Sequence, residues 1–170
     1  MITPVQSDDD EGQTNNNIQN TKNTTIEMTE KGIKKEVLRK KRNYHFIGLL
    51  AKKLHDNNMM IYDSVVAKAI NDNFYDLYDY NGGGFPQALR YAAIRWDNKD
   101  RSVGKLIRSV FVSKNKLKKD KELRKKFENC EGKNLNCSNS KIKSIVAEVL
   151  DDEEMNQYIK EYNNYLGVMN

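Results

Sequence analysis

Apolar residues recur at helical spacing through most of this chain. Over 43–56, Phe46, Ile47, Leu50, Ala51 and Leu54 fall on one stripe while Lys52 and Lys53 point away, the three-and-four alternation of an amphipathic helix. Asn57-Asn58 interrupts it. A second helix is predicted over 60–73, with Val66, Ile70 and Phe74 on one side and Asp63 near the positive end of the helix dipole. Asn81-Gly82-Gly83-Gly84 then reads as a loop, because consecutive glycines cost too much backbone entropy inside a helix. Pro86 restarts order in a first helical turn, where its missing N–H costs nothing. Phe85, Ala88, Leu89, Ala92, Ala93 and Trp96 form the next stripe. After a polar connection at 97–100, Val103, Leu106, Ile107, Val110 and Phe111 make a fourth. Each of these helices has an apolar side it cannot bury alone, so the four are expected to share one core.

The remainder is patterned differently. Over 114–128 only Leu117, Leu123 and Phe127 are apolar anchors, so a weakly amphipathic helix is predicted. Ile142, Ile145, Val146, Val149 and Leu150 mark the first of two closing helices. The second opens on Asp151-Asp152-Glu153-Glu154, continues through Met155, Tyr158, Ile159, Tyr162 and Tyr165, and is expected to stop at Gly167. No segment alternates as a strand does, although Phe111-Val112 would suit an extended pair. The prediction is an all-α fold: a small helical bundle with a disordered acidic N-terminal tail. It divides into a tail at 1–30, a basic arm or helix at 31–42, a helical core at 43–112, and a basic helix with a closing pair at 113–170. Order is expected to begin near Thr29.

Composition limits the size of the core. Only 38% of the 170 residues are hydrophobic and the mean hydropathy is −0.85, so burial is not expected along the full length. No apolar run approaches the ~18 residues of a membrane span. The polar, acidic start is unlike a secretory signal. Two cysteines rule out a disulfide-built scaffold and suit reduced thiols.

Charge changes the picture most. The chain carries a net +5, but unevenly. Residues 1–30 hold six carboxylates against Lys22, a net −5; residues 31–129 hold 24 Lys/Arg against 11 Asp/Glu, a net +13; residues 130–170 hold four against seven, a net −3. A central segment so charged attracts polyanions over about 8–10 Å. The candidate phosphate contacts are Arg101, Lys105 and Arg108, at i, i+4 and i+7 on one helical side, followed by Lys114, Lys118, Lys119, Lys121, Arg124 and Lys125. Lys outnumbers Arg about three to one, which favours diffuse phosphate attraction over bidentate base reading. Lys34, Lys35, Arg39, Lys40, Lys41 and Arg42 place six basic residues in nine and form a candidate nuclear-import signal.

Other chemistry is thinly represented. Cys130 and Cys137 lack a nearby second pair, and His45 and His55 are distant, so no metal site is expected. No serine or cysteine sits in an elbow motif. His45 reads as a packing or capping histidine, and the paired carboxylates look solvated. The glycine loop lacks the Lys-Ser or Lys-Thr of a phosphate loop. The helices at 60–73 and 85–96 are too far apart for a tight helix-turn-helix. Tyr75, Tyr78 and Tyr80 alternate with Asp76 and Asp79, whose charge would repel a nucleic-acid backbone. The expectation is a non-enzymatic, nuclear protein that binds DNA or RNA backbone, with no cofactor, membrane or small-molecule substrate. The alternative is a nuclear or cytoplasmic adaptor that docks a protein partner through Met155, Tyr158, Ile159, Tyr162 and Tyr165.

Overall fold

A computed structural model describes residues 23–73, 84–129 and 139–169. The acidic cluster at 8–11, the tyrosines at 75, 78 and 80, most of the glycine loop, and both cysteines lie outside the described residues.

The fold is all-α. Its elements run α1 (Asn23–Asp56), β1 (Ile61–Tyr62), α2 (Asp63–Asn73), α3 (Gly84–Lys99), α4 (Arg101–Val110), β2 (Phe111–Val112), α5 (Lys114–Lys119), α6 (Lys121–Glu128), α7 (Asn139–Leu150) and α8 (Glu153–Met169). The expected boundary between a basic arm and a first core helix is absent. Residues 31–42 continue directly into 43–56, and α1 already begins at Asn23, before Thr29. Asn58, at φ 55°, turns the chain after α1. The predicted second helix starts later than 60, because Ile61–Tyr62 is extended and α2 begins at Asp63.

The Phe111-Val112 pair is extended, as its β-branched and aromatic side chains allow. It lies parallel to β1, with Ile61 opposite Phe111 and Tyr62 opposite Val112. Successive strand residues point to opposite sides, so this short ladder separates two cores. Ile61 and Phe111 face the main core, which draws on α1, α2, α3, α4, α7 and α8. Met60 and Val112 face the other way and cluster with Leu117, Leu123 and Phe127; Tyr62 meets the Phe127 ring edge-on at 5.1 Å. The three sparse anchors of the basic segment are therefore enough to seat it.

That segment is two helices rather than one. Asp120 ends α5 with its own N–H bonded to the Lys116 carbonyl, and its side chain accepts from the Leu123 N–H at 3.0 Å to start α6. The polar connection at 97–100 is likewise shorter than expected. α3 continues to Lys99, and Asp100 alone caps α4 by accepting from Ser102 N–H. Gly167 does not stop the last helix, which continues to Met169.

Two glycines permit close helix crossings. A Cβ at Gly48 would overlap the Trp96 indole, and one at Gly104 would overlap the Asp97 carboxylate. Trp96 Nε1 then donates to the Tyr44 carbonyl at 2.8 Å across the α1–α3 contact.

Candidate nucleic-acid interface

The basic residues divide into those committed to internal contacts and those left in solvent. The division does not follow the sequence clusters. α8 lies along α1 and turns its aromatic side toward the basic run. Lys34 Nζ sits 5.4 Å from the Tyr165 ring centroid, Lys41 Nζ 5.0 Å from Tyr158, and the Arg42 guanidinium 4.3 Å from Tyr162. Tyr165 also donates its hydroxyl to the Lys31 carbonyl at 3.0 Å, and Lys41 pairs with Glu161 at 3.4 Å.

These contacts involve two groups of candidate residues together. Arg39 is only 6% exposed and Arg42 only 4%, so they are not part of a solvated basic strip. Arg39 is held bidentate by Glu36 at 2.9 Å, and Arg42 donates to Asn43 Oδ1 at 2.9 Å. Lys34 and Lys40 remain exposed and Lys35 half-buried. Met155 is fully buried and Tyr162 5% exposed, while Tyr158, Ile159 and Tyr165 are half-buried. The side of α8 expected to meet a partner packs against this chain's own α1 and core. The stems of Lys34 and Lys41 lie over aromatic faces with their charge near solvent, while the Arg42 guanidinium is itself buried against Tyr162.

Between α1, α3 and α8 lies a recess of about 160 Å³ lined by Lys41, His45, Arg95, Trp96, Lys99 and Tyr158. His45 stacks on Trp96 at 5.2 Å and meets Tyr158 edge-on at 4.8 Å. Its Nε2 is buried 3.2 Å from Glu154 Oε1, yet not aligned to donate a hydrogen bond to it. Burial holds the imidazole pKa below its ordinary value, Lys99 adds to that, and Glu154 opposes it. His45 is thus a packing residue, in the middle of α1 rather than at a helix start. The Glu154 carboxylate also accepts from Tyr158 at 3.3 Å and Lys99 at 3.5 Å, so an acid already occupies the edge of this recess.

The solvated cations gather on α4, α5 and α6. Arg101, Lys105 and Arg108 are all exposed on α4. Arg108 differs from the other two, because both its terminal nitrogens donate to Asp97, at 3.0 and 2.6 Å. That pair holds the Asp97 pKa below the usual carboxylate range and raises that of Arg108. Lys114, Lys118, Lys119, Lys121, Arg124 and Lys125 are exposed, as is Lys126, which the sequence reading did not single out. Arg124 turns part of its guanidinium inward, donating to the carbonyls of Leu117 and Lys118 at 3.1 Å. It thereby ties α6 to the last turn of α5. Among the acids of this segment, Asp120 caps α6, and Glu122 and Glu128 are exposed.

No family model, curated protein or solved structure matches this chain.

Among the described residues no group of His, Cys, Asp or Glu is placed to hold a metal ion. No described helix is long and apolar enough to cross a membrane. On α3, Arg90, which flanks the glycine loop, was a possible phosphate contact, whereas Arg95 was not singled out. Both are exposed, and the packing of α3 places Arg95 at the His45 recess and Arg90 at a second groove.

Proposed function

We propose that the protein is a non-enzymatic nucleic-acid-associated protein that binds phosphate backbone through the outer surface of α5 and α6, extended by Arg101 and Lys105 on α4. One observation carries this reading. The apolar contacts of Leu117, Leu123 and Phe127 fix two short helices on the body while seven Lys and Arg side chains of those helices stay in solvent. A fixed array of ammonium groups attracts a polyanion and releases its counterions. The predominance of Lys suits DNA or RNA backbone without base reading.

Nuclear residence belongs to the same proposal. It would depend on Lys34, Lys35 and Lys40, the members of the basic run not committed to glutamate, asparagine or α8 side chains other than the Tyr165 ring near Lys34.

The test is a quadruple variant, Lys118→Ala, Lys119→Ala, Arg124→Ala and Lys125→Ala, titrated with a duplex and a single strand across a range of salt. If each side chain meets one phosphate, the log–log salt slope falls by about 3–4 on B-DNA, at about 0.9 per contact. Binding by the unaltered protein that ignores salt, or a variant with unchanged affinity and slope, rejects the reading.

A further inference from the structure

On the side of α3 away from the His45 recess, a groove of about 550 Å³ runs between α3 and α4 and reaches the start of α5. Leu89, Ala93, Ile107 and Phe111 make its floor apolar. Ile94, 56% exposed, stands at its edge, where a large aliphatic side chain is left facing water at some cost. The volume falls within the range of about 300–1,000 Å³ typical of ligand sites.

The rim is cationic. Arg90, Arg108 and Lys116 line it together with Asp63, and Asp97 compensates Arg108 from beside the groove. Burial pushes the Asp63 carboxyl up and the Lys116 ammonium down, so it disfavours both charges. Arg108 is fixed by Asp97, and Lys116 Nζ donates to the Arg108 carbonyl, so these two cations are held in place. Arg90 extends from α3 with no ion pair among the described residues.

Along α3 the groove spans Pro86 to Ile94. At 1.5 Å per residue that is about 12 Å, two turns of a facing helix. We propose that this groove docks an acidic amphipathic helix of a protein partner. The partner would seat two or three large apolar side chains at i, i+4 and i+7 on the floor and set carboxylates against Arg90 and Lys116. A nucleic-acid backbone offers no apolar ridge to fill such a floor. Of the α5–α6 cations only Lys116 lines this groove, and Lys116 is not among the side chains proposed to meet phosphate, so the two proposals can fail independently.

The experiment uses the full chain with methyl-labelled Ile, Leu and Val. The probe is a synthetic helical peptide of about 16 residues with Leu at i, i+4 and i+7 flanked by Glu. Two control peptides carry Lys for Glu, or Ala for Leu. The Leu/Glu peptide is expected to shift the methyl signals of Leu89, Ile94 and Ile107 first. Both controls should bind at least about tenfold more weakly, and Ile94→Glu or Arg90→Glu should each cost about tenfold with helical content unchanged. Ile94→Ala serves the same purpose should the charged variant unfold. The quadruple α5–α6 variant should bind the peptide as the unaltered protein does. Absence of binding, equal binding of the Lys peptide, shifts centred elsewhere, or indifference to Ile94 and Arg90 would overturn the proposal. So would concentration-dependent self-association that covers the same methyl groups.

Discussion

The Arg42 guanidinium lies over the Tyr162 ring, 4.3 Å from its centroid. Both side chains are buried, and together they fasten α8 to α1. Arg42→Ala would remove this contact and leave Asn43 Oδ1 without the donor that Arg42 supplies. The expected loss is about 2–3 kcal/mol, combining a desolvated cation–π contact with an unsatisfied buried acceptor. Tyr162→Ala should cost about 3 kcal/mol through lost aromatic burial. In urea denaturation the double variant should fall short of the sum by about 0.5–2 kcal/mol. Strict additivity would mean that the stacking is incidental.

Gly48→Ala should destabilise the protein by about 1–3 kcal/mol, because its methyl would meet the Trp96 indole where α1 and α3 cross. Near-ultraviolet circular dichroism should report a displaced Trp96, and the thermal midpoint should fall. Gly32, with nothing near a built Cβ, is the control. There the same change should be neutral or stabilising, as expected for an exposed helical glycine.

Acid should weaken the α1–α3–α8 junction. Burial lowers the His45 pKa in the folded protein, while the unfolded chain titrates at the ordinary value near 6.5. Between the two the unfolded state binds more protons, so stability rises with pH and is lost as pH falls below about 6.5 towards the folded value. Glu154 and Asp152 oppose this shift, and Lys99 and Lys52 reinforce it. A series of denaturant midpoints from about pH 8 to 5 should therefore fall more steeply for the unaltered protein than for His45→Gln. Parallel curves would show that His45 stays neutral for no energetic reason of its own.

Asp120 couples the stability of the basic helices to their proposed role. Asp120→Ala removes the acceptor for the Leu123 N–H and should cost about 1 kcal/mol. Amide exchange should quicken in the first turn of α6. A more flexible α5–α6 pair should also bind backbone less tightly, despite gaining net positive charge. An affinity that instead rises in proportion to the added charge would indicate that the array need not be held rigid.

How much of this was legible beforehand depends on the range of the interaction. The stripes Phe46–Leu54, Phe85–Trp96 and Val103–Val110 predicted their helices, because helical periodicity is written within a few turns. Phe111 was placed on the fourth helical stripe and also read as suited to an extended pair with Val112; the structure has it extended, because pairing with Ile61 decides between the two. The split at Asp120 was also present in the sequence as a capping residue. It was obscured by the lysines on either side, which read as one continuous run. His45 was read as a packing or capping histidine; its place inside α1, between Trp96 and Tyr158, could not be read from its neighbours in the chain.

The candidate surfaces show the limit most clearly. Two basic clusters looked alike as sequence. In the folded chain Arg39 and Arg42 are buried, whereas Lys118, Lys119, Lys121 and Lys125 remain in water.

What the linear order of residues determined by itself is therefore the helical character, the punctuation at Asn57-Asn58, and the excess of positive charge in the middle of the chain. These follow from hydrogen bonding and side-chain spacing within one or two turns. Tertiary structure decided which cations are solvated, that the tyrosines of α8 serve α1, and that the sides of α3 open onto two different cavities. Cation–π contact and desolvation act over a few ångströms in space, and only packing brings Arg42 to Tyr162.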